Sequence, residues 1–194
     1  GFTKQSFIDW EGKTVAVIFT KGCNLRCYYC HNTSLVYPDV INQTPDIPIE
    51  EIYEYLQSRK NWLNGVVISG GEPTIHWDLK TYIQLIKKIG YSIKLDTNGT
   101  NPQALQSLMN DKLIDFVAMD IKTILNFDAY HQITHCSQKQ FNNMLKSIDI
   151  IKQSNIPYQF RTTMLSEHHT KSVLQQLNET FGIGNIKYQI YREF

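Results

Sequence analysis

The chain has 194 residues, 42% of them hydrophobic and 12% aromatic, and a formal net charge of +1. That length suits one domain with a sizeable core, so residues 1–194 are read as a single unit. Near-neutral charge excludes a global field that would gather nucleic acid or an anionic membrane. No apolar run approaches a membrane span, and no signal-peptide pattern opens the sequence.

Residues 14–20 (TVAVIFT) are β-branched and mostly apolar, which predicts a strand buried on both faces. At its carboxyl end, Cys23, Cys27 and Cys30 place three of the four cysteines within eight residues, in a C-x3-C-x2-C spacing. Pro48, with Glu50 and Glu51 in the first turn, predicts an amphipathic helix over 48–62. Residues 65–69 (GVVIS) predict a second strand, ending in Gly70-Gly71-Glu72-Pro73. A helix over 77–88 leads to a third strand, 92–96, which ends in Thr97-Asn98-Gly99. Pro102 opens another helix, and a fourth strand over 116–121 ends in Asp120-Ile121-Lys122. Helical sequence to about Ser154 is followed by a fifth strand, 158–163, carrying Arg161. A last helix over 167–180 precedes a sixth strand, 187–191.

Short apolar strands alternating with helices predict βαβ units and a parallel sheet. A complete eight-fold barrel needs about 250 residues, so an incomplete (β/α)6 TIM-like barrel fits this length. A doubly wound sheet is the alternative. In both, ligands sit beyond the carboxyl ends of the strands, where the polar and glycine-rich signals fall one after another.

Three thiolates on so short a loop converge at little closure entropy. An iron–sulfur cubane normally takes four Cys ligands, so three local ones leave one iron free for another ligand. The competing readings are unrelated core cysteines, a disulfide that strands one thiol, and zinc. For zinc, His31, His131, His135 or Cys136 could complete a tetrahedron and make the chain a metal-stabilised interaction module. Clustered reduced thiols predict a reducing compartment, the cytoplasm.

The C-x3-C-x2-C loop after the first strand, with aromatic Tyr29 before the last cysteine, resembles the radical S-adenosylmethionine (SAM) superfamily. Gly22-Cys23-Asn24-Leu25-Arg26-Cys27, continuing to Cys30-His31-Asn32 and preceded by Ser6-x-x-Asp9-x-x-Gly12-Lys13, resembles the glycyl-radical-enzyme activases within it. Gly70-Gly71-Glu72-Pro73-Thr74, Asp96-Thr97-Asn98-Gly99, Asp120-Ile121-Lys122 and Phe160-Arg161-Thr162-Thr163 continue the likeness in order. It is nearest to activases of anaerobic ribonucleoside-triphosphate reductase, in the variant similar to pyruvate formate-lyase activating enzyme.

The resemblance implies a radical SAM oxidoreductase with a [4Fe-4S] cluster on Cys23, Cys27 and Cys30. It implies reductive cleavage of S-adenosylmethionine to a 5′-deoxyadenosyl radical, which makes a glycyl radical on the partner reductase. A flavodoxin- or ferredoxin-type donor would supply the electron, and neither nucleic acid nor membrane is an expected partner. Activation of another glycyl-radical enzyme, or a small-molecule reaction like that of 7-carboxy-7-deazaguanine synthase, is the alternative within the superfamily.

By the same resemblance, Tyr29, Gly70, Gly71, Glu72, Asp96, Thr97, Asn98, Lys122 and Arg161 surround SAM, and Asp96 with Asp120 could hold a monovalent cation. Glu72 is expected to receive the SAM ammonium, and Lys122 its carboxylate. Each has a plainer reading: Tyr29 as packing, the glycine pair as a tight turn, Asp96 as a helix cap, and Arg161 in a salt bridge to Glu193 or facing outward. His76, His168, His169 and Cys136 receive no role. The late histidine of pyruvate formate-lyase activating enzyme has no clear counterpart, and Gln189 is its stand-in.

Overall fold

Branched side chains pack well on a pleated surface, and the valine- and isoleucine-rich stretches become strands. The computed structural model describes residues 1–191. Its strands are β1 (Phe2–Ser6), β2 (Val15–Thr20), β3 (Gly65–Gly70), β4 (Ser92–Thr97), β5 (Phe116–Asp120), β6 (Tyr158–Met164) and β7 (Ile186–Ile190). They form one seven-stranded sheet in chain order. β2 through β7 pair in parallel, while β1 runs antiparallel along β2. A doubly wound sheet reverses its strand order at a switch point. This sheet has no reversal, so the partial barrel is the architecture observed. β1 adds to the six expected strands. Its Thr3, Lys4 and Gln5 are exposed, so it carries no apolar run to announce it.

The helices are α1 (Thr33–Val36), α2 (Pro38–Ile41), α3 (Ile49–Ser58), α4 (Leu79–Ile89), α5 (Pro102–Asn110), α6 (Phe127–Thr134), α7 (Gln138–Gln153) and α8 (Lys171–Phe181). Several depart from expectation at their ends. α4 starts two residues late, after Asp78, whose side chain makes no capping hydrogen bond, and leaves Trp77 93% exposed. α8 starts at Lys171 because the Thr170 side chain accepts the Val173 N–H. His135, at φ 53°, stops α6 before the Ser137–Gln140 capping box opens α7. Among the described residues, no helix is long and apolar enough to cross a membrane.

Side chains on a strand alternate between faces, and here the two faces differ in chemistry. Ala16, Val66, Ile68, Ile93, Leu95, Val117, Met119 and Phe160 pack against the helices, meeting Ile83, Ile86, Met144 and Leu177. Burying each such aliphatic group contributes about 1.5–3 kcal/mol. The opposite parity points inside the barrel. At its lower end, Val15, Val17 and Val67 pack on Trp10, which is tilted against Phe116 at 5.8 Å. Trp10 is delivered by a turn in which the Ser6 hydroxyl accepts the N–H groups of Ile8 and Asp9 and donates to the Asp9 carboxylate. That apolar plug closes the floor. Above it, the inward positions include Ser69, Lys94, Asp96, Asp120, Arg161 and Thr163.

Candidate active site

The carboxyl ends of the strands enclose a cavity of about 370 Å³. Every residue expected at the site lines it: the three loop cysteines, Tyr29, the turn at 70–72, the turn at 96–98, Asp120, Lys122 and Arg161. Thr163 and Gln189 complete the wall, and Asp9 reaches it from below.

The cysteine loop is fixed from both sides. Arg26 N–H donates to Thr134 O at 2.9 Å, and Gln140 Nε2 donates to Asn24 O at 2.8 Å. Asn98 Nδ2 reaches Asn24 Oδ1 at 3.1 Å and Cys23 Sγ at 3.8 Å. Burial pushes the Cys23 and Cys27 thiols up, Cys27 to about 11. Such thiols are inert as acids and give up their protons to a metal. Among the described residues, no three His, Cys, Asp or Glu side chains are drawn close enough to hold one metal ion. A cubane asks for wider spacing, because each thiolate binds a different iron, and three soft sulfurs suit iron–sulfur chemistry. The donor set therefore fits a cluster better than zinc.

The glycine pair has a reason other than ligand approach. Gly71 N–H donates to Thr20 O at 3.0 Å and Glu72 N–H to Gly22 O at 2.8 Å, so this turn crosses the cysteine loop backbone to backbone. A Cβ on Gly70, at φ 118°, would collide with Thr20, and one on Gly71 would strike the Gly22 carbonyl.

Glu72, expected to receive the SAM ammonium, has its carboxylate engaged within the protein. Its carboxylate is fully buried. Oε1 accepts the Thr74 N–H, the Thr74 hydroxyl and the Thr97 hydroxyl, and Oε2 accepts the Asn98 N–H at 2.6 Å. Burial pushes its pKa up against the pull of those four donors. Asn98 is committed too, its Oδ1 taking the N–H and hydroxyl of Thr100. Glu72, Thr97 and Asn98 thus tie the end of β3 to the end of β4.

Arg161 faces inward and bridges two carboxylates, with Nη1 3.0 Å from Asp96 Oδ2 and Nη2 2.9 Å from Asp120 Oδ1. Glu193, its alternative partner, lies outside the described residues. Lys122 Nζ lies 3.0 Å from Asp120 Oδ2, and Lys94 Nζ lies 2.8 Å from Asp96 Oδ1. The result is an alternating row across three strands: Lys94, Asp96, Arg161, Asp120, Lys122. Burial raises the Asp120 pKa, but Arg161 and then Lys122 outweigh it and hold the group at about 2. Burial lowers the Lys122 and Arg161 values, and Asp120 reverses both, so each ends above its ordinary value. Asp96 is not a helix cap: Asn101 caps α5.

Tyr29 is 7% exposed, with Lys122 Nζ 5.9 Å from its ring centroid and its hydroxyl buried without a hydrogen-bond partner. Two residues given no weight in the sequence matter here. Lys94 sits two positions before Asp96, so strand parity alone puts both on one face. His169, 5% exposed, accepts the Leu165 N–H at Nδ1 (2.9 Å) and donates from Nε2 to Lys122 O (3.0 Å). It pins the Lys122 backbone, and nothing in its sequence neighbourhood signals that.

A partial barrel with three cysteines on the loop after the first parallel strand and a polar wall at the strand ends defines a class, and the comparisons agree. The profile of the Radical SAM superfamily matches residues 17–176, and the chain belongs to that superfamily of enzymes. It is 34% identical over 184 residues to a Methanocaldococcus jannaschii protein named, by inference, a glycyl-radical enzyme activating enzyme, covering 93% of this chain and 73% of that one. It is 32% identical over 142 residues to a pyruvate formate-lyase-activating enzyme of Clostridium pasteurianum, covering 70% of this chain and 56% of that one. The structure of Streptococcus suis SuiB bound to S-adenosylmethionine superposes with a TM-score of 0.71 at 17% identity, over 93% of this chain and 41% of SuiB. That likeness is one of fold.

Proposed function

We propose that this chain activates a glycyl-radical enzyme, and that its partner is an anaerobic ribonucleoside-triphosphate reductase. The observation that carries the reading is the convergence of three thiols from one short loop on the same cavity as a cationic wall. The relatives that bear activase names support the class of partner, and the reductase is the partner of the activases to which the sequence is nearest in resemblance.

In this reading Cys23, Cys27 and Cys30 would hold a [4Fe-4S] cluster, three protein ligands being one fewer than a cubane has irons, and S-adenosylmethionine would bind beside it. When bound, these groups supply a reductive cleavage whose radical product removes hydrogen from the partner's glycine. The chain binds, orients and keeps water away. Lys94, Arg161 and Lys122 outnumber Asp96 and Asp120, and the two that line the cavity, Arg161 and Lys122, present positive charge to the methionine carboxylate. Tyr29, with its unpartnered hydroxyl, borders the adenosyl side. The backbone at 70–72, held by the Glu72, Thr97 and Asn98 network, lines the cavity from β3 and β4, and Thr163 and Gln189 line it from β6 and β7. A flavodoxin- or ferredoxin-type donor in the reducing cytoplasm supplies the electron. The resemblance also implies a monovalent cation between Asp96 and Asp120, but the side-chain cations already on those carboxylates leave it out of this reading.

The test is oxygen-free reconstitution with iron and sulfide, followed by mixing with the reductase, a reductant and SAM. A glycyl doublet in paramagnetic resonance is expected, and it disappears when any one of the three cysteines is replaced by alanine. A doublet only with a different glycyl-radical enzyme would reassign the partner. A colourless protein carrying one zinc would overturn the reading.

A further inference from the structure

All four oxygens of the Asp96 and Asp120 carboxylates lie within 3.0 Å of a side-chain cation. Arg161 spans the pair and Lys122 takes the outer oxygen, and both of these face the cavity. Lys94 approaches from the other side. Its side chain is 6% exposed, on the inward face of β4 between the apolar floor and Asp96. Its ammonium lies 2.6 Å from the Asp9 carbonyl and 2.8 Å from Asp96 Oδ1. The second contact is one of charge rather than an aligned hydrogen bond, so Asp96 Oδ1 has no donor of its own.

A buried ammonium is costly unless its charge is answered in place. Here the answer is one carboxylate oxygen and one carbonyl oxygen. Hard oxygens of those two kinds are also what an alkali or alkaline-earth ion takes as ligands. Among the described residues, no further acid, Cys or His joins Asp96 and Asp120 to make a metal site. Three cations already face two carboxylates, so an added ion would enter a site with one positive charge in excess.

We propose that the Lys94 ammonium occupies, as part of the chain, the place an alkali cation would take at the Asp96–Asp120 pair, making the site independent of inorganic cations. Lys94 is then a positioning residue: it holds Asp96, Asp96 holds Arg161, and Arg161 holds Asp120. For SAM affinity this rests on the reading above; for the ion site itself it does not.

The ion site is tested first on the full chain without cluster or SAM, by melting in sodium, potassium and choline chloride at equal ionic strength. Wild type should melt at one temperature in all three. Lys94→Gln, which opens a neutral gap beside Asp96, should melt lower in choline and recover in sodium or potassium along a saturable curve. Lys94→Arg should stay insensitive to the ion. Saturable stabilisation of wild type by one alkali ion would overturn the proposal, as would a Lys94→Gln protein blind to all three salts. If Lys94→Gln does not fold, sodium-23 relaxation on wild type decides: a bound sodium displaced by potassium refutes the proposal, and none supports it. With reconstituted protein, SAM affinity of wild type should be the same in all three salts. That of Lys94→Gln should fall in choline by on the order of tenfold, a typical coupling between linked sites, and return with potassium. Reconstituted wild type that binds no SAM in any salt would sink the functional reading, while the melting result stands apart from it.

Discussion

Replacing Glu72 by glutamine asks whether its carboxylate serves the wall or the ligand. The side chain keeps its size and one carbonyl oxygen, which can still accept from Thr74 and Thr97. The new amide nitrogen then faces the Asn98 N–H, which had been donating to Oε2 at 2.6 Å. Two donors pointed at each other in a fully buried site leave a backbone N–H unpaired, at a cost of about 1–3 kcal/mol. Glu72→Ala goes further. The two threonine hydroxyls can rotate to other acceptors, but the N–H groups of Thr74 and Asn98 cannot, so roughly 2–6 kcal/mol is lost before any cavity is counted. Against a total stability of about 5–15 kcal/mol, the first variant still folds and the second approaches the margin at the low end of that range. Urea titration of the metal-free protein measures this, with the midpoint falling and the slope unchanged. If both variants unfold like wild type while SAM affinity collapses, the carboxylate faces the ligand and the hydrogen bonds described above do not hold it.

Gly71→Ala should destabilise by several kcal/mol, because a methyl group there displaces the Gly22 carbonyl, a backbone atom that cannot swing aside. Reduced iron uptake at low urea would show the cysteine loop displaced before the fold is lost. His169 gives a pH dependence. Burial holds its pKa below the ordinary 6.5, so as the pH falls through 6.5 the unfolded chain takes up a proton that the folded chain refuses. Its contribution to stability is complete above 6.5 and declines below. Melting temperatures should therefore fall from neutral to mildly acid pH, and His169→Gln, which can mimic both hydrogen bonds without titrating, should flatten that fall. An unchanged slope in the variant would exclude His169 as its source.

What was legible in the sequence was whatever local pattern determines. The cysteine loop was visible because three ligands lie within eight residues, and the parallel strands because each is a short apolar run beside a helix. The turns at 70–72 and 96–98 were visible by residue type, and they do line the cavity. Their internal wiring was not, because Glu72 is completed by residues 25 and 26 positions downstream. Lys94 went unread for a related reason. Ser92-Ile93-Lys94-Leu95-Asp96 alternates polar and apolar side chains, the pattern of a strand with one face in solvent, and only the curl of the sheet decides that its polar parity points inward. β1 was missed because an edge strand that is mostly polar has no periodic signature to find.

The tryptophan and valine layer beneath the ionic row has an electrical consequence. Charges with water on every side are muted by it, whereas a row backed by hydrocarbon is screened from above alone, and its attraction to an anion at the mouth stays strong. Trp10 thus acts as insulation: by keeping the underside dry, it leaves the opening as the one side from which water and salt screen the row.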